Sequence, residues 1–197
     1  MAQQQSVHHA VSVLAWFSVI WMAVESLVAL FAAWLSHSVA LLAFGGDSVI
    51  ELVSAMLVLG LAAGNDRHNR PWTGKLASVL LMLLIGAVIG ASYFSLHGRL
   101  VAERSWIGIV VLGLSALIMP WLADRKRRLA RANANVTLRA DAVQSAVCGY
   151  LAWIGLVGVA FNTAFQWHWA DPLAALLITP LIGIEVKRAW TGSETCC

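Results

Sequence analysis

Six apolar runs, separated by short polar stretches, set the pattern of this chain. They lie near Val11–Leu35, Val39–Ala63, Leu76–Leu96, Trp106–Ala123, Val136–Phe165 and Pro172–Ile184. Asn162 and Gln166 give the fifth run a polar end, so it closes near residue 162. The sixth contains Pro180 and reaches spanning length only as 170–190. A bilayer core takes about 20 apolar residues of helix. Backbone groups in lipid must bond within their own segment, so runs of this length are helices. Membrane strands would be about half as long and would alternate in polarity. The expected fold is an all-α integral membrane protein, a six-transmembrane-helix bundle forming one domain over residues 1–197. Its helices fall near 11–35, 39–63, 76–96, 106–123, 136–162 and 170–190, with no soluble C-terminal domain expected after them. Gly64-Asn65 closes the second run, and Arg70-Pro71 opens the approach to the third. The first run is too long for a cleaved signal and lacks a basic leader.

Composition agrees. Of 197 residues 60% are hydrophobic and 12% charged, with a mean hydropathy of +0.77. A soluble domain carries about 25% charged residues. Basic residues fix the expected orientation. Arg67, Arg70 and Lys75 lie between runs two and three, and Arg125, Lys126, Arg127, Arg128, Arg131 and Arg139 between four and five. Lys187 and Arg188 follow run six, which leaves only Arg99 and Arg104 on the other side. The excess of cytoplasmic Lys and Arg puts both termini in the cytoplasm of a cell (inner) membrane. That topology also accounts for the net charge of +3, so nucleic acid is not an expected partner. The stretch 125–131 fixes topology or touches anionic head groups. Trp34, Trp72, Trp106, Trp121, Trp167, Trp169 and Trp190 fall near expected membrane edges, where Trp anchors.

Chemistry concentrates in a few polar positions. Asp47 and Glu51 stand one helical turn apart inside the second run. One charge at the bilayer centre costs about 2.5–3.5 kcal/mol, so two adjacent carboxylates imply a bound cation or shared protons. The six apolar runs hold two further carboxylates, Glu25 and Asp141, and no Lys or Arg except Arg139 at an edge. The alternative is a set of protonated acids bonded to neighbouring backbone, most of all for Glu25. Asp141, Gln144, Ser145 and Cys148 share one face of the fifth helix. A weak internal echo aligns Ala43 with Ala140, which sets Asp47 opposite Gln144 and Glu51 opposite Cys148 at matching heights. Paired repeats around a mid-membrane site recur among transporters. Carboxylates with a thiolate form a site of mixed hardness, suited to Zn²⁺ or Cd²⁺ rather than Mg²⁺ or Ca²⁺.

These residues carry a resemblance. Ser38-Val39-Ala40-Leu41-Leu42-Ala43 leading to Asp47 and Glu51 resembles the cation diffusion facilitator (cation efflux) family. So do Leu138-Arg139-Ala140-Asp141 leading to Gln144 and Cys148, and the stretch from Trp169 through Asp171-Pro172 to Leu176. The resemblance implies six helices, cytoplasmic termini, a homodimer, and divalent-metal efflux in exchange for protons by alternating access. Its tetrahedral transport site, carried over, is Asp47, Glu51, Gln144 and Cys148. The family usually has Asp at Glu51, His or Asp at Gln144, and Asp at Cys148. Gln is a poor zinc ligand, so Asp141 is expected to replace or support Gln144. The family's cytosolic C-terminal domain is not expected here, which marks a divergent branch.

The expected activity is proton-coupled export of a divalent transition metal, Zn²⁺ first and Cd²⁺ or another soft metal next. Metal and H⁺ are cargo, and no prosthetic group is expected. Glu25, Ser145 and His37 are candidate proton or metal relays. Cys196 and Cys197, with His8 and His9, are candidates for cytosolic metal capture, or else for S-acylation. His97 and His168 lie at expected outer ends. Two other readings remain: a proton-coupled exporter of organic cations, held by charge and cation–π contact, and a non-transporting metal-binding or regulatory membrane protein. No nucleophile–base pair, nucleotide loop or metalloprotease motif occurs, so an enzyme is not expected.

Overall fold

A computed structural model describes residues 2–63, 70–132 and 136–191. The described residues form six helices and no strand: α1 (Ala2–Ser36), α2 (Val39–Ala63), α3 (Arg70–Leu96), α4 (Trp106–Ala132), α5 (Val136–Phe165) and α6 (Ala170–Thr191). Four stretches are long and apolar enough to cross a membrane: Val13–Ser36, Gly74–Leu96, Trp106–Ala132 and Asp141–Phe165. The protein is membrane-embedded, and its surface fits that solvent. Trp16, Leu27, Trp34, Leu83, Leu117 and Tyr150 point outward, while the interior is rich in Ala and Ser.

Lipid is as apolar as leucine, so helices associate through close packing of small residues. Ala29, Ala32, Ala40, Ala43, Ala116, Ala152 and Ala175 make up much of the core. At Gly158 a Cβ would lie 2.3 Å from that of Ala174, which brings α5 and α6 into near-backbone contact. The buried serines mostly return their hydroxyls to their own helix, as Ser36 does to Ala32 O at 2.7 Å and Ser48 to Phe44 O at 3.1 Å.

α2 is the central element, packed against α1, α3, α5 and α6, while α4 lies along α5. At one end the turns are tied together. Glu103 N donates to Ser36 O at 2.7 Å, Asn162 Nδ2 to Ala102 O at 3.0 Å, and Ser105 N to Thr163 Oγ1 at 3.2 Å. There the start of α6 meets the start of α2. Ser38 caps α2 by accepting from Leu41 N at 3.2 Å. Asp171, fully buried, supplies a second cap from another helix. It accepts from Ser38 Oγ at 2.5 Å, Val39 N at 2.7 Å and Ala40 N at 3.4 Å. α2 and α6 therefore run parallel, and α5, joined to α6 by a short turn, runs antiparallel to both.

Three expected boundaries shift by more than a turn. α1 starts at Ala2 rather than Val11, α3 at Arg70 rather than Leu76, and α4 continues to Ala132 rather than stopping at Ala123. The basic stretch after residue 123 is thus helix, not loop. It is held by an Arg128–Asp124 pair at 2.8 Å and by Arg125 lying over Trp121 at 5.6 Å. Lys126, inside that stretch, is buried.

Candidate metal centre

Three helices deliver polar groups to one interior point. α2 contributes Asp47 and Glu51, α6 contributes Glu185, and α5 contributes Gln144 and Cys148. One oxygen from each carboxylate of Asp47, Glu51 and Glu185 lies within 4.8 Å of the other two. Asp47 and Glu185 are buried and Glu51 is partly so. Glu51 is held from α5: Gln144 Nε2 donates to Oε1, and Cys148 Sγ donates to Oε2 at 3.0 Å.

Asp47 Oδ1 and both Glu185 oxygens are buried and receive no hydrogen bond from a donor group of the described residues, and the Asp47 and Glu185 carboxyls face each other closely enough to share a proton. The charge of Arg188, one turn beyond Glu185, reaches it from an exposed position. Two full negative charges about 4 Å apart repel by about 4 kcal/mol at an effective dielectric near 20. Three such groups persist together only if protons or a cation offset them. Oxygens sharing a tetrahedral ion at about 2.1 Å sit about 3.4 Å apart. A modest contraction of the three side chains therefore brings them to ligand spacing, and the Cys148 sulfur stands against Glu51.

The structure brings together four of the expected residues, Asp47, Glu51, Gln144 and Cys148. Of the echo's two pairs, Glu51 and Cys148 meet, while Gln144 reaches Glu51 instead of Asp47. Asp47 turns toward Glu185 on α6.

Asp141 does not join the carboxylates. Its Oδ1 accepts from Lys126 Nζ at 2.9 Å, and Lys126 also donates to Ser145 Oγ at 2.9 Å. This corrects the expectation that no lysine is available to neutralise a carboxylate of the bundle, and Asp141 stands with Lys126 rather than replacing or supporting Gln144. The physical reason is the length of α4, whose extra turns carry Lys126 inward against α5. α5 thus presents Gln144 and Cys148 to α2, and Asp141 and Ser145 to α4.

The other candidates lie elsewhere. Glu25 on α1 accepts from Ser115 Oγ on α4 at 2.5 Å. His37 is exposed in the turn between α1 and α2, with a φ of 51°. The rings of His97 and His168 meet backbone carbonyls, Tyr93 O at 2.8 Å and Ala102 O at 3.3 Å. Cys196 and Cys197 lie outside the described residues, as do the side chains of His8 and His9.

Glu185 is the residue that the sequence reading missed: it lies inside the expected helix 170–190, but beyond the apolar run ending at Ile184, and was not weighed as a site residue. The available signal was a stripe, since Asp171, Ala174, Ala175, Ile178, Ile182 and Glu185 recur at helical spacing and are all buried. No family model and no curated protein matches the chain.

Proposed function

We propose that this protein is a proton-coupled secondary transporter that exports a divalent transition-metal cation by alternating access. Zn²⁺ is the first expected cargo, with Cd²⁺ or another soft metal next. In this reading all six helices span the membrane, both termini are cytoplasmic, the membrane is the cell (inner) membrane, and the working unit is a homodimer. The resemblance to cation diffusion facilitators points the same way.

One observation carries the proposal: carboxylates from α2 and α6, two of them buried, converge beside a thiol from α5, and oxygens of Asp47 and Glu185 there receive no hydrogen bond from a donor group. Asp47, Glu51 and Glu185 would bind the ion and Cys148 would supply the soft ligand. Gln144 orients Glu51 through its amide. Metal binding needs deprotonated ligands, so metal and protons compete. On the cytosolic side metal displaces protons; on the far side protons displace metal and return. The mixed oxygen and sulfur set favours Zn²⁺ and Cd²⁺ over Mg²⁺ and Ca²⁺.

Uptake of Zn²⁺ into proteoliposomes carrying an internal metal indicator tests this. Wild-type protein should give flux that grows with an opposing proton gradient. Asp47→Asn should abolish it while keeping the helical circular-dichroism signal. Unchanged Zn²⁺ flux in Asp47→Asn would remove the site.

A further inference from the structure

A second polar site lies between α1 and α4, apart from the metal centre. Glu25 is fully buried there. Ser115 Oγ donates to its Oε2 at 2.5 Å, while Oε1 has no partner among the described residues. One turn earlier on α1, Trp21 Nε1 is also buried, close to the Glu25 carboxyl but not aligned with it in a well-formed hydrogen bond. The surroundings therefore suit Glu25 in either protonation state. As a neutral acid it keeps its bond with Ser115. As a carboxylate it has a second donor, the Trp21 indole N–H, within reach on the same helix face.

α1 packs against α2 and α4. The titratable groups of α2 are Asp47 and Glu51, of which Glu51 is near enough to Glu25 for the two charges to repel. From α4 the facing group is the neutral Ser115; the first charged residues of that helix, Asp124, Arg125 and Lys126, lie more than two turns farther along. Glu25 touches none of Asp47, Glu51, Glu185, Gln144 or Cys148 through any hydrogen bond of the described residues.

We propose that Glu25, set between Ser115 and Trp21, is a dedicated proton-carrying site that is separate from the metal ligands and coupled to them only through charge. This rests on the transport reading above. A cation arriving among Asp47, Glu51 and Glu185 brings positive charge toward Glu25 and favours loss of its proton. By reciprocity, a proton on Glu25 weakens metal binding by the same factor. The step is a simple exchange: the O–H bond of Glu25 breaks, the proton leaves to solvent, and the carboxylate is received by Ser115 and Trp21.

The experiment uses the full chain in detergent and in proteoliposomes, with Zn²⁺ as the probe. Calorimetric titration in buffers of different ionisation enthalpy counts the protons released per Zn²⁺ bound. Glu25→Gln mimics the protonated state, so it should still bind Zn²⁺ but about a hundredfold more weakly than wild type at high pH, with the difference closing at low pH. It should release close to one proton fewer per metal at intermediate pH, and should conduct Zn²⁺ downhill without accumulation against a proton gradient. Trp21→Phe, a milder change, should move the pH midpoint of transport and leave the Zn²⁺ affinity at high pH intact. Proton release and gradient-driven accumulation unchanged in Glu25→Gln, or an unmoved midpoint in Trp21→Phe, would overturn the proposal while leaving the metal centre standing. Zn²⁺ binding lost in Glu25→Gln would overturn it by making Glu25 part of the metal site. Absence of Zn²⁺ binding by wild type would bring down the transport reading and this inference together.

Discussion

Replacing Asp171 with Ala tests whether α6 holds α2 in place. The side chain is fully buried and accepts from Ser38 Oγ at 2.5 Å and Val39 N at 2.7 Å. The bond from Ala40 N, at 3.4 Å, is too long to count for much. Hydrogen bonds to a charged acceptor contribute about 1.5–3 kcal/mol each, and a carboxylate at a helix N-terminus adds about 0.3–1 kcal/mol. Against these stands the desolvation of the carboxylate, which the substitution relieves. Ser38 keeps its own bond from Leu41 N, so α2 is not left wholly uncapped. The lasting damage is the Val39 N–H left buried without an acceptor, at about 1–3 kcal/mol. Asp171→Ala should therefore cost about 3 kcal/mol. Asp171→Asn keeps one acceptor oxygen and should cost about half as much. The assay is unfolding by SDS titration in dodecyl-maltoside micelles, followed by Trp fluorescence. The same change should reach the metal centre, because α2 carries Asp47 and Glu51 while α6 carries Glu185. Zn²⁺ affinity should fall in Asp171→Ala, and adding Glu185→Gln should cause less loss than it does alone. A stability within about 0.5 kcal/mol of wild type, or strictly additive effects on affinity, would refute the reasoning.

Three further outcomes are expected. Cys148→Ser should lower Cd²⁺ affinity at least about tenfold, near 1.4 kcal/mol, and Zn²⁺ affinity by less, because the softer ion depends more on sulfur; competitive titration reads the ratio, and an unchanged ratio would exclude the thiol as a ligand. Zn²⁺ affinity should rise with pH, by about tenfold per pH unit for each proton displaced, since the neutral acids and thiol do not bind metal; a flat profile between pH 5.5 and 7.5, roughly the range of biological pH, would show that no proton is exchanged. Lys126→Met should destabilise the bundle by about 1–3 kcal/mol, below the 3–5 kcal/mol of a fully buried pair because the Asp141 side chain is 44% exposed. Lys126→Met with Asp141→Asn should recover part of that loss in the same unfolding assay, and no recovery would mean that Lys126 acts through packing alone.

Much of the candidate site was legible one residue at a time. Asp47 and Glu51 announced themselves because charge in an apolar run demands compensation. Gln144 and Cys148 were found by helical periodicity on α5. Glu185 and Lys126 each sit where a membrane helix turns polar. Lys126 fell beyond the segment closed at residue 123, while Glu185 lay inside the expected helix 170–190 but past its apolar run, where a charge reads as an interfacial one. Nothing local distinguishes Lys126, buried against α5, from Arg127 and Arg128, which face outward. Asp171 was noticed only within a stretch that resembles a family, and its service as the cap of another helix is invisible along the chain.

The sequence by itself determined that the chain is helical and membrane-embedded, because lipid leaves long apolar segments no other way to satisfy their backbones. It also determined that Asp47 and Glu51 need a positive companion, since that demand follows from burial and charge alone. Tertiary structure decided which groups share the cluster. Packing set α6 parallel to α2 and brought Glu185 to Asp47, and the length of α4 gave Asp141 a lysine. Side chains on different helices meet through the depth and direction of those helices, and hydropathy encodes neither.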